Sequence, residues 1–214
     1  MQRTRVKICG LTRVEDVRSA CDLGADAVGF VCAPASGRFV ELERLAHLAG
    51  AVTPFVTPVL LFVDALPAQV RSALEVVPNA LLQFHGSESS SYCQSFGRPY
   101  LRAAAMGEGI DLLEFETKFA GAAGLLADAA RAGSGGTGQM FDWSRLPAAG
   151  LRTLPLILAG GLDARNVEAA IRLVRPQAVD VSSGVEASQG IKSLERMRSF
   201  FAAVRQADAQ SGAQ

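Results

Sequence analysis

Eight short apolar runs recur along the chain, separated by stretches with helical spacing. The runs fall at residues 5–9, 26–31, 57–63, 80–84, 99–104, 123–127, 154–159 and 178–181. They are continuous rather than alternating, as expected of strands buried on both faces of a parallel sheet covered by helices. Helical periodicity occupies 14–23, 41–50, 67–77, 88–96, 163–174 and 190–205, and more weakly 109–120. Segment 142–150 is cut short by Pro147, which a helix interior does not accept. Asp163, before Ala164-Arg165-Asn166-Val167, is a candidate N-cap, and Glu41 sets a carboxylate at the positive end of the next helix. Strand–helix alternation over 214 residues, at roughly 27 residues per unit, predicts an α/β fold: a single (β/α)8 TIM barrel with a parallel eight-stranded sheet. Residues 1–206 are expected to form this one barrel domain, and 207–214 a polar, disordered tail. An open doubly wound sheet permits the same alternation, but no G-x-G-x-x-G turn follows the first strand.

Composition narrows the function classes. Lysine and arginine number 21 against 21 aspartates and glutamates. No basic stripe points to nucleic acid, and no polybasic segment points to a membrane surface. The apolar run from Val56 to Val63 is interrupted by Pro58 and is far too short to span a bilayer. Met1-Gln2-Arg3-Thr4 leads straight into a strand without an apolar leader, which predicts a cytoplasmic location. Cysteines at 9, 21, 32 and 93 form no CxxC pair, and only His47 and His85 could join them. A metal site is therefore not expected. Cys21 lies on a helix pattern and reads as a small core residue. A monomer and a homodimer are both compatible with the sequence.

In a βα barrel the functional groups stand at the carboxyl ends of the strands. Those ends carry Cys9, the loop after Phe30, Asp64, His85, Arg102, Asp128, Gly160-Gly161 and Ser182-Ser183-Gly184. Taken singly, each fits a loop residue that satisfies backbone groups; together they make a polar ring on apolar strands. Leu158-Ala159-Gly160-Gly161-Leu162-Asp163 and Val181-Ser182-Ser183-Gly184-Val185 both run from strand towards helix. Glycines allow close backbone approach to an anion, and N–H groups and hydroxyls donate to it. The loops after strands seven and eight are a recurrent phosphate position in this fold. The alternative is a pair of tight turns in which glycine is common. A third loop, Gly135-Gly136-Thr137-Gly138, could close on the phosphate or the sugar.

Cys9 and Asp128 are the acid–base candidates. A free thiol has a pKa of about 8.5, so a nearby cation would raise its thiolate fraction near neutrality. Lys7 stands two residues earlier on the same strand, and whether it reaches the thiol is open. Cys9 alone also fits a small buried hydrophobe, and Asp128 a loop-capping carboxylate. A weak base and an acid of raised pKa on one substrate would describe an isomerase. Arg38, in Ala33-Pro34-Ala35-Ser36-Gly37-Arg38-Phe39-Val40, could close over a substrate carboxylate or sit solvated on the surface. His85 reads first as a structural, lining histidine.

Seven segments together resemble the phosphoribosylanthranilate isomerases of tryptophan biosynthesis. They are Val6-Lys7-Ile8-Cys9-Gly10-Leu11-Thr12, Gly29-Phe30, Gln83-Phe84-His85-Gly86, Leu126-Ala127-Asp128, Gly135-Gly136-Thr137-Gly138 with Phe141-Asp142-Trp143, Leu158-Ala159-Gly160-Gly161-Leu162, and Asp180-Val181-Ser182-Ser183-Gly184-Val185-Glu186. They span almost the whole chain in order. The resemblance implies an Amadori rearrangement of N-(5-phosphoribosyl)anthranilate without a cofactor, Asp128 acting as general acid and Cys9 as general base. It implies substrate binding by Lys7, Arg38, His85, Gly136, Gly138, Gly160, Gly161, Ser182, Ser183 and Gly184, with a small phosphorylated sugar as the partner. The chain departs from the family at Gly37, where proline or lysine is common, and at Ser193, where aspartate often follows the lysine. A histidine-pathway aldose isomerase would be expected to use two aspartates, but Cys9 holds the first-strand position. An indole-glycerol-phosphate synthase would be expected to use lysines and a longer amino-terminal extension. A degenerate phosphate-sugar binder is the non-enzymatic alternative, and the presence of both Cys9 and Asp128 speaks against it.

Overall fold

The computed structural model describes residues 3–107, 110–129 and 141–211. Eight strands close into a barrel in sequence order: β1 (Arg5–Cys9), β2 (Ala27–Val31), β3 (Thr57–Phe62), β4 (Leu81–Phe84), β5 (Tyr100–Ala105), β6 (Gly124–Asp128), β7 (Leu156–Leu158) and β8 (Ala178–Val181). Every neighbouring pair is parallel, and β8 returns to pair with β1. The helices are α1 (Val14–Asp22), α2 (Leu42–Ala49), α3 (Pro67–Val76), α4 (Ser90–Gln94), α5 (Leu112–Lys118), α6 (Val167–Val174) and α7 (Leu194–Ser211). Between β6 and β7 the described residues hold two 3-10 turns, Trp143–Arg145 and Ala149–Leu151, on either side of Pro147.

Side-chain parity explains why the strand runs are continuous. Val6, Ile8, Val28, Phe30, Leu60, Phe62, Leu82, Phe84, Leu156, Leu158, Val179 and Val181 point outward into one core, shared with Val17, Leu45, Leu48, Val70, Val167, Ile171 and Phe200 of the helices. The intervening residues point into the barrel. There, Leu101, Ala103, Leu126, Ile157 and Ala159 form one apolar patch, and Cys9, Val31, Ala33 and Leu61 form another. Successive strand residues thus enter two different buried environments, and the exposed polar residues Arg5 and Thr57 stand only at the first positions of β1 and β3.

Three expectations are corrected. The segment after β8 begins as a 3-10 turn, Ser183–Val185, then an antiparallel pair, β9 (Glu186–Ser188) and β10 (Ile191–Lys192), before α7 starts at Leu194. The Ser-Gln-Gly turn at 188–190, with Gly190 at φ +78°, interrupts the helix expected from residue 190. Of the disordered tail expected at 207–214, residues 207–211 are helical, because the buried stripe Met197, Phe200, Phe201, Val204 continues to Ala207, and 212–214 lie outside the described residues. Asp208 then accepts hydrogen bonds from the Thr4 N–H at 3.0 Å and the Thr4 hydroxyl at 2.7 Å, tying the end of α7 to the start of β1. Finally, α6 begins at Val167 rather than near Asp163, with Asn166 at its N-cap. Asp163 instead accepts the Arg165 N–H at 2.8 Å and so caps the turn before the helix.

Candidate active site

The carboxyl end of β1 carries Lys7 and Cys9 on the same, inward face. Gly29 of β2 is the register partner of Cys9. A Cβ there would stand 2.8 Å from Cys9 Sγ and 3.1 Å from Lys7 Nζ, so only glycine leaves room for both side chains. On the other flank, Asp180 of β8 is the register partner of Lys7. Its two carboxylate oxygens lie 3.0 and 3.1 Å from Nζ. Cys9 Sγ and Lys7 Nζ flank the same point over Gly29, which sets the ammonium near the thiol. Burial disfavours the charged ammonium, but Asp180 and Cys9 outweigh it and hold the Lys7 pKa above its ordinary value. For the thiol, burial dominates and pushes the Cys9 pKa up, Asp180 acts the same way, and Lys7 and Lys192 oppose them.

A second charged cluster stands above the first. Arg38, on the loop after β2, makes a bidentate pair with Glu186: Nε donates to Oε1 and Nη2 to Oε2, each at 2.7 Å. Lys192 of β10 donates to the same Oε1 at 2.8 Å and to the Ser182 carbonyl at 3.1 Å. All three side chains are buried. Burial would raise the Glu186 pKa, yet the hydrogen bonds and charges of Arg38 and Lys192 hold it below the usual carboxylate range. Burial leaves Lys192 below the usual lysine value. Arg38 is therefore buried and paired rather than solvated on the surface. Gly37 suits this packing, since a Cβ there would run into the Gln189 side chain of the β9–β10 turn.

Opposite these clusters, Asp128 ends β6 and is buried. The glycine turn after β7 packs against it: Gly160 has φ +83°, and a Cβ there would come within 3.0 Å of Asp128 Oδ1. Gly161 is also left-handed, at φ +64°. The next loop abuts this one, since a Cβ on Gly184 would overlap the Leu162 carbonyl oxygen. Ser182 Oγ faces Gly10, 3.0 Å from where a Cβ on that glycine would stand. Ser183 and Gly184 open the 3-10 turn, and the first N–H groups of such a turn have no partner within it. Gly160-Gly161 and Ser182-Ser183-Gly184 thus form adjoining walls suited to an anion. Gly136 and Gly138, with the rest of their loop, lie outside the described residues.

His85 and Gln83 project inward from β4 and the loop after it, their side-chain nitrogens 2.5 Å apart. Burial, reinforced by Lys7 and Arg102, pushes the His85 pKa down to about 3, so the imidazole is neutral and lines the lumen. Two members of the expected ring do not belong to it. Arg102 lies within β5, which runs on to Ala105, and it faces the helices. There it donates to the carbonyls of Phe84 and Gly86 at 2.8 and 2.6 Å and lies over the Phe119 ring at 4.9 Å. Asp64 joins two loops by accepting the Ser87 N–H at 2.6 Å. Three charged residues without an assigned role in the sequence reading enter the site: Asp180, Glu186 and Lys192. An aspartate inside the apolar run Ala178-Val179-Asp180-Val181 was a usable signal for the first. The other two ride on a hairpin whose only cue is the Gly190 turn. Among the described residues no cluster of histidine, cysteine or carboxylate side chains could hold a metal ion. No helix among them is long and apolar enough to cross a membrane.

A parallel eight-stranded barrel with a thiol, a carboxylate and paired glycine loops at one mouth defines a barrel enzyme of the phosphosugar-handling class. Comparison with known proteins narrows the class. The family model for N-(5'-phosphoribosyl)anthranilate (PRA) isomerase matches residues 6–203, and the chain belongs to that family. It is 53% identical over 208 residues to the N-(5'-phosphoribosyl)anthranilate isomerase of Dechloromonas aromatica, covering 96% of this chain and 98% of the relative. It is 52% identical over 211 residues to that of Methylibium petroleiphilum, covering 99% and 98%. Among solved structures, phosphoribosyl anthranilate isomerase from Thermus thermophilus superposes with a TM-score of 0.84 at 35% identity, over 95% of this chain and 99% of that one. A phosphoribosyl anthranilate isomerase in complex with reduced 1-(o-carboxyphenylamino)-1-deoxyribulose 5-phosphate superposes with a TM-score of 0.77 at 31% identity, over 95% and 99%. The chain is an isomerase.

Proposed function

We propose that this isomerase carries out the Amadori rearrangement of N-(5-phosphoribosyl)anthranilate to 1-(o-carboxyphenylamino)-1-deoxyribulose 5-phosphate in tryptophan biosynthesis, with Asp128 as general acid and Cys9 as general base. Asp128 donates a proton to the furanose ring oxygen as the C1–O bond breaks, leaving an iminium between C1 and the anthranilate nitrogen. The iminium acidifies the neighbouring C2–H. Cys9, as thiolate, takes that proton, and the electron pair flows into the C1–C2 bond to give an enolamine. Proton gain at C1 and loss from the C2 hydroxyl then yield the ketone.

The observation that carries this reading is the Asp180–Lys7–Cys9 arrangement. A buried thiol at a strand end has a cation within reach, and that cation is itself held by a carboxylate on the adjacent strand. Such a cation favours thiolate. Lys7 therefore acts on Cys9 rather than gripping substrate. Gly160, Gly161, Ser182, Ser183 and Gly184 receive the phosphate, with Gly136 and Gly138 proposed to close over it. Arg38 faces the anthranilate carboxylate, and neutral His85 forms part of the lumen wall.

The test is a continuous assay of anthranilate-type fluorescence on freshly prepared phosphoribosylanthranilate. The unmodified protein should consume it rapidly. Cys9→Ala and Asp128→Asn should each lose about 10²–10⁴-fold in kcat, the usual worth of a positioned acid or base. An inactive unmodified protein would sink the reading. Near-full activity of either variant would remove that residue's role.

A further inference from the structure

We propose that Glu186 is a positioning residue that fixes the Arg38 guanidinium for the substrate carboxylate and couples that grip to the phosphate loop. The proposal rests on the isomerase reading above. Glu186 is the common acceptor of the upper cluster. Its Oε2 receives Arg38 Nη2, and its Oε1 receives Arg38 Nε, Lys192 Nζ and, at 3.3 Å, the Gly190 N–H. A guanidinium has five N–H donors in a rigid plane. Glu186 engages two of them along one edge, which sets the plane and leaves the Nη1 donors outside that pair. Two cations and one carboxylate give the cluster an excess of one positive charge, which suits one incoming carboxylate.

The cluster also bridges two recognition elements. The Arg38 chain packs against Gly10, whose missing Cβ would clash with Arg38 Cδ and approach Ser182 Oγ. Lys192 reaches the Ser182 carbonyl and, at 3.3 Å, its hydroxyl. One carboxylate therefore holds both the loop after β2 and the start of the phosphate loop. The β9–β10 hairpin delivers it: the main chain of Lys192 is anchored to Asp16 of α1 at 3.0 Å, and the Arg196 guanidinium binds the Glu186 carbonyl. Without the hairpin, a helix starting at 190 would place neither Glu186 nor Lys192 in this arrangement.

The experiment measures KM and kcat for Glu186→Gln, alone and in an Arg38→Met background. Each protein is assayed on phosphoribosylanthranilate and on the phosphoribosyl adduct of aniline, which lacks the carboxylate. Glu186→Gln should raise KM for phosphoribosylanthranilate by about 10- to 100-fold, the scale of a lost charge-assisted bidentate pair, with a much smaller change in kcat. It should raise KM for the aniline adduct by a much smaller factor, the part that reaches the phosphate loop through Lys192 and Ser182, and most of its effect on phosphoribosylanthranilate should vanish once Arg38 is methionine. An equal loss on both substrates, an undiminished loss in the Arg38→Met background, or a lowered KM would overturn the proposal, and an aniline adduct wholly unaffected would overturn its coupling to the phosphate loop. Glu186→Asp, which keeps the charge on a shorter arm, should recover part of the KM. If Glu186→Gln does not fold, the same substrate comparison on Glu186→Asp against Arg38→Lys decides the matter. An unmodified protein inactive on phosphoribosylanthranilate would instead count against the isomerase reading itself.

Discussion

Replacing Lys7 and Asp180 separates the structural role of their ion pair from its chemical one. Lys7→Met alone leaves a buried carboxylate without its cation, which destabilises by about 3–5 kcal/mol. At about 2–4 °C per kcal/mol for a chain of this size, Tm should fall by roughly 6–20 °C. Lys7→Met with Asp180→Leu removes both charges, and a well-packed apolar pair is often neutral, so Tm should recover most of that loss. Activity should not recover with it. Near a protein surface, a unit charge at close range is worth at most about 4 kcal/mol to its partner. In the unmodified protein, burial and Asp180 already hold the thiol above its ordinary pKa, against Lys7 and Lys192. The base form is the deprotonated one, so kcat/KM should climb as pH rises on the alkaline side. Loss of Lys7 removes a pKa-lowering charge and should move that climb to still higher pH. Loss of Asp180 offsets part of the move. Near neutrality the double variant should be about 10- to 1000-fold slower. The assay is kcat/KM against pH, beside thermal unfolding of the same samples. A folded double variant with the unmodified rate and pH profile would refute Lys7 as the cation that sets the base.

Two further outcomes follow from packing. Deleting residues 207–214 should lower stability by about 2–4 kcal/mol, because Ala207 is fully buried and Asp208 holds Thr4; an unchanged thermal unfolding midpoint would contradict the described end of α7. Gly160→Ala should cost about 1–3 kcal/mol of stability, because residue 160 is left-handed. It should also reduce kcat/KM at least tenfold, because the added methyl presses on Asp128; a fully active variant would show that this glycine turn does not shape the site.

Most of the barrel was readable from the chain because its strands are buried on both sides. The run Val6-Lys7-Ile8-Cys9 illustrates the limit. Its strand character and its terminal thiol are local properties, visible by inspection. The partner of Lys7 is not local: Asp180 lies 173 positions away and meets Lys7 only because β8 closes onto β1. Arg102 was misplaced for a related reason. One residue of register decides whether a side chain faces the lumen or the helices, and an apolar run does not reveal its own end to that accuracy. Glu186 and Lys192 were hidden because a two-strand hairpin of seven residues leaves little periodicity. Its polar, glycine-containing turn merges with the helical pattern that follows. Residues 207–211 were misread because the polar sequence after Ala207 hides one buried alanine and the distant link from Asp208 to Thr4.

The most direct test of the acid–base assignment is a single-turnover comparison of phosphoribosylanthranilate with its C2-deuterated form. The unmodified protein, Cys9→Ala and Asp128→Asn would each be mixed with either substrate, with binding followed separately by fluorescence. The account predicts that both variants still bind substrate but transform it about 10²–10⁴-fold more slowly, and that Cys9→Ala shows C2–D cleavage fully limiting what turnover remains. A Cys9→Ala protein that cleaves the C2–D bond at the unmodified rate would contradict it.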